Sequence, residues 1–143
     1  MGLTLGALLD SSFLIAAERR GLSAAEALLE VDRLLPEEDV GLSVISVMEV
    51  AHGESRSDTP ARAAYRSSFL SEIMEALTVY PVTPKIARRA GRLDGELAKQ
   101  GLTVAFPDLL IGVTALELGY SVLTSNIRHF ERIPGLTVVR QGT

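Results

Sequence analysis

Strand-length apolar runs alternate with helix-length segments along almost the whole chain, and this alternation limits the possible folds more than any other feature. "LGALL" (5–9), "VGLSVIS" (40–46), "LTVYPV" (77–82) and "LTVVR" (136–140) read as strands, and "YSVLTSN" (120–126) as a strand running into a turn. The segments between them carry helix punctuation. Ser23 and Glu26 have capping-box spacing ahead of a helix over 23–35, which Pro36 ends. "VMEVAHG" (47–53) reads as a short helix stopped by Gly53. Asp58 or Thr59 caps the next, with Pro60 in its first turn and its end near Leu77. Thr83 and Pro84 open another that ends near "KQG", and "FPDLLIGVTALELG" (106–119) is a strongly apolar helix. Apolar strands separated by helices imply a mainly parallel sheet covered on both faces. The expectation is one three-layer α/β/α domain over residues 1–143, with right-handed crossovers.

Composition narrows the functional classes. The absence of cysteine excludes disulfides and thiolate metal sites and fits a reducing, cytoplasmic setting. The first apolar run lacks a basic flank, and Glu117 interrupts the most apolar stretch, so no signal peptide or membrane helix is expected. A net charge of −4 argues against binding nucleic acid by bulk charge, though a local basic strip beside a metal site remains compatible with it. With two histidines and no cysteine, any metal would take oxygen ligands rather than a zinc-type set.

The informative polar residues interrupt apolar stretches. In parallel α/β sheets, ligands bind beyond the carboxyl ends of the strands. Asp10 follows the first strand in "LGALLDSSFLI", Glu49 follows the second by a few residues, Asp108 opens the long apolar helix, and Ser125 and Asn126 follow the "VLT" strand end. Taken singly, Asp10 fits a helix N-cap, and Asp108 fits a carboxylate favoured by the helix dipole. Glu49 has no comparable structural duty. Three carboxylates in one cleft would repel each other, and a divalent cation relieves that repulsion. Mg²⁺ or Mn²⁺ suits such a set, and either can polarise a phosphate and activate water for in-line attack.

"LLDSSFLI", "SVISVMEVAHG" and "FPDLLIGVTALELGYSVLTSNIRHFERIPGLTV" together resemble a PIN domain, and more narrowly the VapC toxins of bacterial toxin–antitoxin pairs. The resemblance runs from Leu8 to Val139, and its last block is the most specific part. It implies a small metal-dependent endoribonuclease with Asp10, Glu49 and Asp108 as its acidic metal ligands. It also implies cleavage that leaves a 3′-hydroxyl and a 5′-phosphate. Asn126 falls where many relatives carry a fourth acid, so the charge for a second metal is missing here. By the same resemblance Ser11, Ser46, Thr124 and Ser125 are supporting hydroxyls. Arg128, just past the expected cleft, is the best-placed RNA contact, and His129 beside it either touches phosphate or caps the turn. Arg19, Arg20, Lys85, Arg88, Arg89, Arg92 and Arg132 are further basic residues that also fit solvated helix faces. Tyr65, Tyr80 and Tyr120 are too scattered for a base-stacking platform.

The resemblance further implies a cognate VapB-like antitoxin whose C-terminal segment wraps the toxin, and a homodimer. Phe13, Leu14, Leu28 and Leu35 either seat that segment or pack on the sheet, and "RSSFLSEIMEAL" is one candidate dimer helix. Other readings fare less well. A haloacid-dehalogenase-like phosphatase needs a second aspartate where Ser12 stands, and a receiver domain needs an acidic pair and a central phospho-accepting aspartate. A non-catalytic PIN-like RNA-binding or scaffold protein is the alternative from a different class.

Overall fold

The computed structural model describes residues 4–141; residues 1–3 and 142–143 of the expected 1–143 domain lie outside the described residues. Its strands are β1 (Gly6–Leu9), β2 (Asp39–Ser43), β3 (Thr78–Tyr80), β4 (Tyr120–Thr124) and β5 (Val138–Arg140). They form one sheet in the order β3-β2-β1-β4-β5, and every neighbouring pair is parallel. The helices are α1 (Ser11–Arg19), α2 (Ala24–Leu34), α3 (Val44–Ser55), α4 (Pro60–Ala76), α5 (Pro84–Lys99) and α6 (Phe106–Leu118).

The two-residue period of the strands sorts the core into two halves. Ala7 and Leu9 of β1 pack with Phe13, Leu14, Val31, Phe69 and Ile73 from the α1, α2 and α4 side. Leu8, between them, packs with Ile86, Leu97, Leu109 and Val113 from α5 and α6. The expected three-layer α/β/α architecture is therefore the observed one. The central strands β1 and β4 are the most enclosed: Leu8, Leu9, Val122 and Leu123 are fully buried. On the α5/α6 face, Tyr80 and Tyr120 meet edge to face with ring centroids 5.8 Å apart. Gly6 and Gly41 leave room for this pair, because a Cβ on either would press on a tyrosine ring.

Helix starts follow the punctuation closely. Ser23 and Glu26 form a complete capping box, Thr59 and Thr83 each cap the residue three further on, and Gly119 ends α6 with a left-handed φ of 72°. One boundary shifts in a way that matters for function. The strand expected over 40–46 ends at Ser43, whose hydroxyl accepts the Ile45 amide at 3.0 Å and starts α3 at Val44. Gly53 does not stop that helix, which runs on to Ser55. Ser46 and Glu49 therefore lie one helical turn apart on one element.

Of the two readings open for the early apolar residues, packing on the sheet is the observed one. Phe13, Leu14 and Leu35 are buried, and Leu28 packs against the same cluster, so these side chains belong to the core rather than to an open seat for another chain. In "RSSFLSEIMEAL", Phe69, Leu70 and Ile73 likewise face inward. Among the described residues, no helix is long and apolar enough to cross a membrane.

Candidate active site

Parallel strands bring their carboxyl ends to one edge of the sheet, and an open cleft of about 430 Å³ lies there. Asp10, Glu49, Asp108 and Asn126 all line it, delivered by the end of β1, the second turn of α3, the first turn of α6 and the segment after β4. Ser11, Ser12, Arg19, Ser125 and His129 complete its polar wall.

Asp10 occupies the N-cap position of α1, yet its side chain makes no capping bond. Its carboxylate instead accepts two hydroxyl hydrogen bonds on the same oxygen, Oδ2: from Ser12 at 2.6 Å and from Thr124 at 2.9 Å. Those hydroxyls are themselves supported. Ser12 Oγ accepts the Ser125 amide at 3.2 Å, and Thr124 Oγ1 accepts the Asn126 amide at 2.9 Å. Each hydroxyl has one proton, and each directs it to Asp10, so both bonds point at one carboxylate oxygen. Although Asp10 is only 2% exposed, it is thus well solvated by protein donors.

Glu49 is held from across the cleft by Ser11, whose hydroxyl donates to Oε1 at 2.9 Å. Ser46 sits one turn earlier, fully buried and outside the cleft, and donates to the Leu9 carbonyl at 3.2 Å. It pins the start of α3 to the end of β1 and so sets the distance between Glu49 and Asp10. Asp108 is the most perturbed of the acids. Burial raises its pKa to about 6; nearby His129 opposes the rise, while Asp10 and Glu49 add to it. His129 Nδ1 lies 3.5 Å from Asp108 Oδ2. The three carboxylates share the cleft without converging on one point: among the described residues, no three acidic or histidine side chains form a closed ligand set.

Arg128 does not line the acidic cleft but two hollows that adjoin it. Arg20 pairs with Glu30, Lys85 and Arg89 pair with Glu117, and Arg132 donates to the Thr103 carbonyl. Of the further basic residues, Arg19 alone reaches the cleft wall. Ser12 is the contributor that sequence reasoning missed. Its only signal was its place as the second serine after Asp10.

The family model for the PIN domain matches residues 7–136, almost the whole described chain. This chain belongs to the PIN domain family. As a PIN domain it is similar to the tRNA(fMet)-specific endonuclease VapC of Salmonella typhimurium, at 35% identity over 98 residues, 68% of this chain and 71% of that one. Ribonuclease VapC1 of Rickettsia felis is 28% identical over 135 residues, 94% of this PIN domain and 96% of the relative. The crystal structure of DNA-bound VapBC from Salmonella typhimurium superposes with a TM-score of 0.79 at 27% identity, covering 96% of this chain and 99% of that one. The resemblance drawn from the motifs is borne out along the same span.

Proposed function

We propose that this PIN domain is a metal-dependent endoribonuclease, the toxin of a toxin–antitoxin pair, acting in the cytoplasm on RNA phosphodiester bonds. The observation that carries the proposal is the meeting of Asp10, Glu49 and Asp108, from three separate elements, around one cleft at the carboxyl edge of the sheet. The names of its relatives, two of them ribonucleases that align with most of their length, support the same reading. So does the likeness to a toxin–antitoxin complex, which also supports a VapB-like antitoxin as a partner of this chain.

The donor set fits a hard divalent cation. Apart from Arg19 and His129, the polar side chains of the lining are oxygen donors, and the Asp108 pKa is raised by burial first, with Asp10 and Glu49 adding to the rise. Mg²⁺ or Mn²⁺ retains several waters and needs only a few carboxylates, so no closed cage is required. Asp10, Glu49 and Asp108 would hold it, with the Asn126 amide as an uncharged neighbour. Such an ion supplies positive charge against the phosphodiester and lowers the pKa of an attacking water. The chain's own part is positioning. Ser12 and Thr124 fix the Asp10 carboxylate, Ser11 holds Glu49, and the first turn of α6 presents Asp108.

Incubation of the purified, antitoxin-free protein with a small-RNA pool tests the proposal, with Mg²⁺ or Mn²⁺ and with EDTA, beside Asp10→Asn. Cutting that needs the metal and is lost in the variant is the expected result, with 5′-phosphate ends at the cleavage points. Undiminished cutting by Asp10→Asn would overturn the assignment. RNA binding without cutting by the folded native protein would favour the scaffold reading.

A further inference from the structure

The wall formed by the segment after β4 has a second side. Behind the cleft lies a smaller hollow of about 210 Å³, lined by Ser125, Asn126, Ile127, Arg128, His129 and Arg140. Ser125, Asn126 and His129 also line the cleft, so the two spaces share a rim. Their chemistry is opposite. The cleft lining holds three carboxylates, whereas the hollow holds two arginines, a histidine, an amide and a hydroxyl, and no acid. Arg128 and Arg140 are both exposed, and neither side chain makes a hydrogen bond or an ion pair among the described residues. They come from different elements, the short 3-10 turn at Ile127–His129 and the end of β5, and β5 is fixed to β4 by the pairing of Arg140 with Thr124. The placement of Arg140 therefore follows from the sheet register and not from loop conformation.

Resting on the nuclease reading above, we infer that Arg128 and Arg140 form a phosphate subsite for the RNA strand, taking a phosphate next to the one that lies at the acidic cleft. Guanidinium groups suit this role because their planar forks match phosphate oxygens. The arrangement also answers the charge problem of a protein with net charge −4: the backbone is held by a local pair of arginines beside the acids. Such contacts carry no sequence information, so the subsite contributes affinity and register rather than base choice.

The test uses the Asp10→Asn protein, in which cutting is expected to be lost, and filter binding of the same end-labelled small-RNA pool in Mg²⁺ across a salt series. Arg128→Ala and Arg140→Ala are each made in that background. Arg33→Ala, exposed on α2 and lining neither space, controls for simple loss of charge. Each subsite variant is expected to weaken binding severalfold. It should also flatten the slope of log affinity against log salt by about 0.7, the value for one lost single-strand phosphate contact. Arg128→Lys should keep most of that slope. If both subsite variants match the Arg33→Ala control while the native protein still cuts the pool, the subsite is overturned and the nuclease reading stands. If the native protein neither cuts nor binds the pool, the nuclease reading fails and the subsite fails with it.

Discussion

Ser12 donates to Oδ2 of Asp10 at 2.6 Å and, through its own lone pair, accepts the backbone amide of Ser125 at 3.2 Å. One hydroxyl thus joins the carboxylate after β1 to the segment after β4, across 113 residues of sequence. Ser12→Ala removes both bonds and leaves Thr124 as the single remaining donor to Asp10. The expected loss in folding stability is roughly 1.5–3 kcal/mol, the range for a hydrogen bond to a charged group. It should be read as a lower urea midpoint at unchanged slope. RNA cleavage should fall by more than that stability change explains, and Ser12→Thr should restore part of it. Full activity in a destabilised Ser12→Ala protein would reduce Ser12 to a structural role.

Asp108 sets a conflict between stability and function. Its folded pKa stands at about 6, above the ordinary 3.8, chiefly because of burial, with His129 opposing and Asp10 and Glu49 adding to the rise. An acid whose pKa is raised on folding destabilises the native state at pH values above the raised pKa. The penalty is relieved as pH falls from 6 towards 4, where the folded protein takes up the proton first. In metal-free buffer at pH 8, Asp108→Asn should therefore be more stable than the native protein, by about 2–3 kcal/mol at most. That advantage should shrink as pH falls through 6. Thermal melts of both proteins across this range provide the measurement, and a constant difference would contradict it.

A buried ion pair stands behind the cleft. Arg66 Nε donates to Glu18 Oε1 at 2.7 Å, and its Nη1 donates to the Gly53 carbonyl and to Ser57, so α4 is tied to α1 and to the end of α3. Glu18 is only 7% exposed. Arg66→Ala leaves that carboxylate buried and unpaired and should cost about 3–5 kcal/mol. Glu18→Leu combined with Arg66→Met should recover most of the loss, since the apolar pair removes both charges together. Chemical denaturation of the single and double variants distinguishes a pair that supports the fold from one that is incidental.

Much of this fold could be read from the sequence because its signals are local. The capping box at Ser23 and Glu26, the Thr-Pro starts at 59–60 and 83–84, and the Gly119 stop each act within four residues, and each forms as expected. "VGLSVIS" was misread at its end because β-branched residues favour strands, while the Ser43 cap and the packing of α3 decided otherwise. Asp10, Glu49, Asp108 and Asn126 were legible as polar breaks at strand ends, and the structure brings them to one cleft. Ser12 was not, since a serine beside an acid is unremarkable until β4 delivers Thr124 and Ser125 to it. Arg66 and Glu18, 48 residues apart, left no local trace of their pairing either. Leu14 and Leu35 kept two readings in the sequence, because an apolar helix face looks the same whether it meets its own sheet or another chain.

The central claim is that Asp10, Glu49 and Asp108 serve one divalent cation. Titration of Mn²⁺ into the metal-free protein, followed by electron paramagnetic resonance of the free ion, tests it without recourse to an RNA substrate. Saturable binding that is lost or greatly weakened in each of Asp10→Asn, Glu49→Gln and Asp108→Asn, all shown to be folded, is the predicted result. Binding that survives all three substitutions unchanged, or no binding by the native protein, would contradict it.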